Sequence, residues 1–457
     1  MMSRNPVTAP RRTLISRKSF TQGYRNLGAA ESSRPTASEQ QPLLAPPDTL
    51  TLLPSSNRHP GPVPEKPTWK SSAKATFFAS KMNILLAFVP LGIISGELNW
   101  REYATFFLNS LAIIPLAGLL GFATEEVGLR CGERIGGLVN GTFGNATELI
   151  VGIFALKQGL ISVVQASLLG SMLSNLLLVT GLCFFVGGMS FKIQKFNPTA
   201  AQTSASLMAL TVFAYLIPAA FLFQSPSDED SDTTLTHVKN LSRATSIVLL
   251  LIYVCFLVFS LWTHTVLFDT AEPSPDDENE NPQLTLNFAL VLLLVVTIII
   301  TVCADYLVGS IDGLTSKLGW TQAFVGIILL PIVGNAAEHY TAVIMATRNK
   351  MDLAVSVAVG STMQIALLVT PSLVLLGWCL DQPLTLAFPP FMSVTIFVAV
   401  FVVNSLIRDG ESNWIEGAML LGGYCILAVA FFYVSARVSC NDEGMMFSWI
   451  HANCLYV

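Results

Sequence analysis

Beyond residue 80, long apolar runs alternate with short polar connections along the chain. Each run reaches the roughly 17 residues that a transmembrane helix needs as a minimum, and a helix of about 20 apolar residues crosses the hydrocarbon core of a bilayer. The pattern therefore predicts an all-α integral membrane protein with eleven transmembrane helices. The predicted spans are 82–98, 103–123, 136–157, 161–188, 202–224, 244–266, 285–309, 321–346, 352–378, 385–407 and 414–436.

The segment ahead of the spans has a different composition. Residues 1–76 are rich in Ser, Pro, Thr, Gln and Arg and show no sustained periodicity, so they predict a largely disordered tail. No short apolar core lies near Met1, which argues against a secretory signal. The whole chain is 52% hydrophobic and 12% charged, about half the charged fraction of a soluble protein.

Lys and Arg near the span ends predict the orientation, because cytosolic loops carry an excess of both. The predicted cytosolic set is Lys66, Lys70, Lys74, Lys81, Arg130, Arg134, Lys192, Lys195, Arg348, Lys350 and Arg408. The opposite set is Arg101, Lys157, Lys239, Arg243, Lys317 and Arg437. The bias predicts a cytosolic N-terminus and a lumenal C-terminus, which an odd number of spans requires.

A short motif occurs twice. Gly144-Asn145-Ala146-Thr147-Glu148 in the third span recurs as Gly334-Asn335-Ala336-Ala337-Glu338 in the eighth. Five spans separate the copies, so the chain crosses the membrane in opposite directions and the two halves are predicted to be inverted repeats. The predicted organisation is a cytosolic tail (1–76), a first helix outside the symmetry (77–100), a five-helix repeat (101–268), an acidic cytosolic linker (269–285), a second five-helix repeat (286–436) and a lumenal tail (437–457).

The motifs carry oxygen ligands suited to a hard cation. Asn145 and Glu148 are three positions apart and share a helix face, and Asn335 and Glu338 repeat that spacing. The predicted metal ligands are Glu148, Glu338, Asn145, Asn335, Ser171, Ser174, Ser361 and Gln364. Calcium takes six to eight oxygens, and no soft thiolate cluster indicates zinc or copper. The alternatives are packing for the acids and interhelical hydrogen bonding for the neutral side chains.

Glycines and prolines occur in and next to the two motif-bearing spans. They are predicted helix breakers, which would free backbone carbonyls where these line a cavity. The predicted breakers are Gly141, Gly144, Gly181, Pro331, Gly334 and Pro371.

The two acids also predict proton coupling. A proton or a divalent cation can neutralise Glu148 and Glu338, so the two compete, and exchange follows if the protein changes its facing only when the charges are compensated. Buried carboxylates inside a membrane commonly mark ion pathways. A cation channel remains an alternative. An intramembrane aspartyl protease is disfavoured because Asp305 lacks the neighbouring patterns of such enzymes, so no catalytic residues are assigned.

Other polar residues have weaker assignments. His339 points about 100° away from Glu338 around the helix, which favours packing or a contact behind the ligands. Asp305 and Asp312 either line an exit path or belong to a solvated helix end. A further set of acids either attracts cations toward the site or belongs to solvated loops: Glu125, Glu126, Glu133, Glu272, Asp276, Asp277, Glu278 and Glu280. Glu39, Leu43 and Leu44 resemble an acidic dileucine sorting signal for an adaptor protein.

The motif stretches resemble those of calcium/proton exchangers in the cation/calcium exchanger superfamily, close to the fungal vacuolar type. The resemblance covers most of 80–436 and is strongest at GNATELIVGIFALKQG and VGNAAEHYTAVIMATRNK. It implies eleven spans, a calcium site at Glu148 and Glu338, no cofactor, and exchange of lumenal protons for cytosolic calcium across an acidic organelle membrane. Sodium/calcium exchangers typically have Pro before the first acid and Asp in the second motif, so Thr147 and Ala337-Glu338 favour the proton-coupled branch. Manganese as the transported cation stays open.

Overall fold

The computed structural model describes residues 67–224, 231–267 and 282–439, which are almost entirely helical. The α-helices are α1 Trp69–Phe78, α2 Phe88–Glu97, α3 Glu102–Cys131, α4 Glu133–Phe143, α5 Ala146–Lys157, α6 Ile161–Leu173, α7 Thr180–Ser190, α8 Pro198–Gln224, α9 Ser231–Val258, α10 Leu286–Gly309, α11 Ile311–Leu318, α12 Gln322–Phe324, α13 Leu330–Gly334, α14 Ala336–Thr347, α15 Met351–Gln364, α16 Thr370–Cys379, α17 Pro390–Leu406 and α18 Trp414–Ser439.

Shorter elements join these helices. The π-helical segments are Ser174–Val179, Phe259–Thr263, Val325–Leu329 and Ile365–Val369, and the 3-10 segments are Lys81–Ala87 and Thr265–Leu267. Two short strands, β1 Gln194–Lys195 and β2 Glu411–Ser412, pair antiparallel with Gln194 opposite Ser412. The strands tie together two loops at one end of the helical bundle.

Within the described ranges, seven helical stretches are long and apolar enough to cross a membrane, and two bent pairs raise that number to nine. The bent pairs are Trp69–Phe78 with Lys81–Glu97, at 94°, and Gln322–Gly334 with Ala336–Thr347, at 57°. Apolar side chains such as Leu294 and Phe401 are exposed on the outside of the bundle. The chain is therefore an all-helical membrane protein.

One helix lies inside the segment predicted to be a disordered tail. Trp69–Phe78 forms α1, which corrects that prediction for the described part of the tail. Thr68 and Ser71 satisfy each other's backbone N–H groups in a capping box, and such a cap supplies partners for the first turn of a helix. The Trp69 ring also meets the Phe288 ring edge-on at 5.3 Å, so packing against α10 stabilises a helix that composition alone did not indicate. Residues 1–66, with the sorting motif at Glu39, Leu43 and Leu44, lie outside the described residues.

Glu126 has a structural role that differs from the predicted attraction of cations. Helix α3 continues past its predicted end to Cys131, and the Glu126 side chain is only 3% exposed. Its carboxylate accepts the backbone N–H of Gln283 at 3.0 Å and that of Leu284 at 2.9 Å. The Arg130 guanidinium donates to the Leu284 carbonyl. Because both carboxylate oxygens already hold backbone groups, Glu126 anchors the start of α10 to α3.

The other acids of that predicted set fall in different places. Glu125 lies on the exposed side of α3, and Glu133 is the first residue of α4. The acidic run from Glu272 to Glu280 lies outside the described residues.

We expect Glu126→Gln to destabilise the protein without changing its affinity for cations. Glutamine replaces one acceptor oxygen with an NH₂ donor, so a buried backbone N–H loses its partner, at a cost of about 1–3 kcal/mol. Thermal unfolding of the detergent-purified protein should begin several degrees lower, while the affinity of the protein for divalent cations stays unchanged. A weaker cation affinity with unchanged thermal stability would instead support the predicted attraction of cations by Glu126.

Two pairs of irregular segments lie at or shortly after the two copies of the sequence motif. The chain breaks between α4 and α5 at Gly144-Asn145, and at the equivalent motif positions α13 ends at Gly334 with Asn335 before α14. The π-segments Ser174–Val179 and Ile365–Val369 occupy corresponding places between α6 and α7 and between α15 and α16. Irregular backbone inside a membrane protein is tolerated where it lines a cavity or is covered by protein.

The predicted helix breakers do not all break helices. Gly144 and Gly334 stand at the breaks, but Gly141 lies inside α4. Gly181 and Pro371 lie in the first turns of α7 and α16 and follow π-segments, so these spans continue through them. Pro331 likewise lies in the first turn of α13, after the π-segment Val325–Leu329. A π-turn contains one extra residue. Local π-helical adjustments of this kind let a transmembrane helix continue past a proline, which has no backbone N–H.

Candidate functional site

The break before α5 directs Asn145 toward the other half of the molecule. Asn145 has a non-helical backbone (φ −108°, ψ 27°) and is 2% exposed. It is therefore the N-cap of α5 and not a residue inside the helix that carries Glu148. Its Nδ2 donates to Gln364 Oε1 at 2.6 Å, and its Oδ1 accepts from Ser361 Oγ at 2.9 Å. The first motif is thus joined to α15, the helix that follows the second motif.

Asn175 continues this network, although the sequence analysis did not select it. Asn175 Nδ2 lies 2.9 Å from Ser361 Oγ and 3.4 Å from Glu338 Oε2. A connected chain of side chains results, which we call the polar network: Gln364, Asn145, Ser361, Asn175 and Glu338. When the two motif copies are aligned along the sequence, Ile365 falls opposite Asn175, so the duplication of the motif did not indicate Asn175. The sequence feature that could have indicated Asn175 is its polar side chain inside an apolar span.

Glu148 faces a small cavity beside the polar network. The cavity has a volume of about 20 Å³, room for about one water molecule. Its lining residues include Glu148, Thr147, Ser167, Ser171, Val333 and Gly334. Glu148 Oε1 reaches the second break, since a Cβ on Gly334 would lie 2.8 Å from it. The carboxylates of Glu148 and Glu338 are near enough to act on each other electrostatically.

Ser174 and His339 form a further contact between the halves. His339 Nε2 lies 3.2 Å from Ser174 Oγ. The imidazole therefore contacts a residue predicted to line the site, in agreement with the expected position of His339 behind Glu338. Since the ring contacts a hydroxyl there, it helps to fix the Ser174 side chain.

Two buried amide oxygens at the site lack a hydrogen-bond partner within the protein. Asn335 is fully buried, and neither its Oδ1 nor its Nδ2 is paired; Asn175 Oδ1 is also unpaired. Asn145, at the equivalent position of the first motif, uses both of its polar atoms. Buried polar atoms are seldom left unpaired in proteins. The two free oxygens therefore fit an oxygen-binding cation as substrate.

The structure brings together most of the predicted ligands and separates a few other residues from them. Asp305 is exposed, and exposed Asp312 accepts from Gln322 Nε2 at 2.8 Å, so neither belongs to the polar network. Among the described residues, no group of three or more His, Cys, Asp or Glu side chains forms a metal cluster. A cation here would rest on two carboxylates and neutral oxygens, which is the ligand chemistry of hard cations.

Comparison with known proteins shows the family to which this helical membrane protein belongs. The model of the sodium/calcium exchanger protein family matches residues 101–262 and 288–433. The chain belongs to this family.

Individual relatives resemble the chain along most of their length. The vacuolar calcium ion transporter of Schizosaccharomyces pombe is 48% identical over 79% of this chain and 86% of its own length. A Ca²⁺/H⁺ antiporter of Synechocystis is 47% identical over 77% of this chain and 96% of its own. Among solved structures, native YfkE is 39% identical, with a TM-score of 0.65 over 77% of this chain and 99% of that protein. The H⁺/Ca²⁺ exchanger CAX has the same fold, with a TM-score of 0.61 at 13% identity over 79% of this chain and 93% of its own.

Proposed function

We propose that this protein is a secondary antiporter that moves calcium into an acidic compartment in exchange for protons. The observation that carries the proposal is the polar network, which joins the two motif regions, together with the buried, unpaired amide oxygens of Asn175 and Asn335 and the Glu148 carboxylate that reaches the break at Gly334. The relatives support it, because they are named as vacuolar calcium transporters and calcium/proton antiporters. No cofactor and no enzymatic step are part of the proposal.

The proposed site uses carboxylates for charge and neutral groups for coordination. Glu148 and Glu338 bind calcium and carry the exchanged protons, whereas Asn145, Asn335, Ser171, Ser174, Ser361 and Gln364 supply further oxygens. Asn175 joins this set because its Oδ1 is free and its Nδ2 holds Ser361 and Glu338. Calcium needs six to eight oxygens, and these groups with water can supply that number.

The proposed exchange follows from charge compensation. An uncompensated carboxylate inside a bilayer costs about 2.5–3.5 kcal/mol on insertion scales. Calcium or protons remove that charge, so the two substrates compete for the same acids. The protein then changes its facing only in a neutralised state, which is alternating access. The hydrogen bonds that Asn145 and Asn175 make in the polar network join the first half to the second, so a relative movement of the halves would rearrange the ligands.

The proposed architecture has one added helix and two inverted five-helix repeats, eleven spans in all. Three observations support it: the two breaks at equivalent motif positions, the two corresponding π-segments, and the family match in two segments that fall on the predicted halves. Eleven spans put the termini on opposite sides of the membrane, and the Lys and Arg bias near the span ends supports a cytosolic N-terminus and a lumenal segment after 436. The compartment we propose is the vacuole or another acidic organelle, with residues 39–44 read by a sorting adaptor.

Calcium uptake into acid-interior vesicles tests the function. Reconstituted protein should accumulate calcium when the vesicle interior is acidic, and a protonophore should abolish the uptake. Uptake that persists with the protonophore would indicate a channel. Uptake driven by a sodium gradient alone would assign the protein to sodium/calcium exchange. Competition by manganese in the same assay measures the cation preference.

We expect Gln364→Ala and Ser361→Ala to raise the calcium concentration for half-maximal uptake by about 10-fold. Loss of a partner next to a metal ligand typically costs about 10- to 100-fold in affinity. Neither side chain carries an exchangeable proton, so the pH at which transport is half-maximal should change much less. Uptake measured over a grid of calcium concentration and pH separates the two effects.

Thr362→Val is the matched control for Ser361→Ala. Thr362 is the adjacent buried hydroxyl, but it donates to the Ala358 carbonyl of its own helix at 2.9 Å. We expect this variant to bind calcium like the wild type. If Gln364→Ala also leaves the calcium requirement unchanged, Gln364 is a packing residue and the ligand assignment is wrong there.

Cysteine labelling tests the proposed orientation. A single reactive cysteine introduced near residue 450 should react only with reagents that have access to the lumen, because eleven spans leave the C-terminus on that side. A cysteine placed in the linker at 269–285 should react from the cytosol. Labelling of residue 450 from the cytosolic side would contradict the odd number of spans.

A further inference from the structure

A proline in the second half leaves one backbone carbonyl without its expected partner. In the π-segment Ile365–Val369, the Thr370 N–H donates to the Ile365 carbonyl, five residues earlier. The next carbonyl, that of Ala366, would pair with residue 371 in the same pattern. That residue is Pro371, which has no N–H. The Ala366 carbonyl therefore needs a donor from elsewhere.

Tyr215 supplies that donor from the other half of the molecule. Its hydroxyl donates to the Ala366 carbonyl at 2.7 Å, and the residue is 1% exposed. Tyr215 belongs to α8 in the first half, whereas Ala366 lies two residues after Gln364 in the second half. The Tyr215 ring packs against Phe388 with the ring centres 5.1 Å apart, so the hydroxyl is held in place.

In the first half, the carbonyls of the corresponding π-segment have donors within their own helix. Gly181 stands where the second half has Pro371, and unlike proline it has a backbone N–H that is available to a carbonyl of its own helix. Thr180 Oγ1 also donates to the Asn175 carbonyl at 3.0 Å, whereas Thr370 Oγ1, at the equivalent position, has no such bond. The two π-segments are thus held differently: the first by its own helix, the second by a side chain from the opposite half.

We propose that Tyr215 is a positioning residue for the calcium site, resting on the antiport function above. Its hydroxyl holds the π-segment that follows Ser361 and Gln364, and so sets the position of both ligands relative to Asn145. The residue itself does not contact the cation. The bond also links α8 of one half to the ligand helix of the other, so a relative movement of the halves must keep or break it.

Tyr215→Phe tests the proposal because it removes the hydroxyl and leaves the packed ring. We expect the calcium concentration for half-maximal uptake to rise roughly three- to tenfold, the equivalent of one lost hydrogen bond. The maximal rate should stay within about twofold, since the carboxylates that carry protons are untouched. The matched control is Tyr433→Phe on the exposed surface of α18, which should match the wild type.

A second substitution distinguishes positioning from general stabilisation. Pro371→Ala restores an N–H at residue 371, so the Ala366 carbonyl regains a main-chain donor and Tyr215→Phe should then change the calcium requirement less than about 1.5-fold. The proposal is overturned if Tyr215→Phe behaves like the wild type, or if it has an equal effect in both backgrounds. Should Tyr215→Phe alone fail to fold, recovery of folded, calcium-binding protein in the double variant supports the proposal and continued failure overturns it.

Calcium-dependent thermal stabilisation of the purified variants supplies a readout independent of transport. The calcium concentration that produces half of the stabilisation should shift in Tyr215→Phe as the uptake requirement does. A wild-type protein without proton-driven uptake would refute the antiport proposal. The thermal readout would still decide the role of Tyr215, so the two failures are distinguishable.

Discussion

Glu148→Gln and Glu338→Gln should each abolish proton-driven calcium uptake while leaving folded protein in the membrane. Glutamine keeps the volume of glutamate and one of its two acceptor oxygens but removes its charge and its exchangeable proton. Because loss of partners behind metal ligands already costs about 10- to 100-fold, we expect more than about a 100-fold loss of transport. Uptake into acid-interior vesicles with matched amounts of reconstituted protein measures it.

The geometry adds a distinction between the two acids. Glu338 accepts from Asn175 at 3.4 Å within the polar network, whereas Glu148 reaches the backbone at Gly334 and faces the small cavity.

Glu411→Gln is the control for both variants, because this partly exposed carboxylate pairs with Lys195 at 3.4 Å in the strand pair. It should transport like the wild type. Substantial proton-driven uptake by either glutamine variant at the site would remove that acid from the mechanism.

Gly170→Ala should prevent the formation of stable protein. A Cβ at this position would lie 2.3 Å from the Ile327 carbonyl oxygen and 2.6 Å from Ile327 Cα. Real Cβ atoms do not approach backbone so closely, and a side-chain rotation cannot relieve the clash. Overpacking costs about 1–3 kcal/mol where side chains can adjust, and here α6 must move away from the π-segment Val325–Leu329. The yield of monodisperse protein in detergent and its thermal unfolding measure the effect.

The repeat provides a matched control for this substitution. Gly360 aligns with Gly170 at the spacing of the duplicated motif, and a Cβ there would meet nothing within 4 Å. We expect Gly360→Ala to give normal yield and normal thermal stability. Equal behaviour of the two alanine variants would contradict the close packing of α6 against the π-segment. The comparison also shows that two glycines at equivalent sequence positions have different structural requirements.

Sequence alone determined the class of the protein and predicted a place for its chemistry. Apolar runs of spanning length predicted the helices, because unpaired backbone groups are too costly in lipid for other structures. The duplicated Gly-Asn-Ala-x-Glu motif predicted which acids matter, because a carboxylate in a span is costly and two at equivalent positions are hard to explain by packing. Ser361 and Gln364, selected by spacing, do lie beside Asn145.

Only the tertiary structure decided which partners those residues have. Asn145 leaves the helix at a break and bonds to the opposite half, and Asn175 enters the network although Ile365 occupies its repeat position. Glu126, an acid near a predicted loop, proved to be buried under backbone N–H groups of the linker end. Contacts of this kind join residues that are far apart in the chain. Local periodicity and composition carry no information about them, because they arise only when the helices of the two halves pack together.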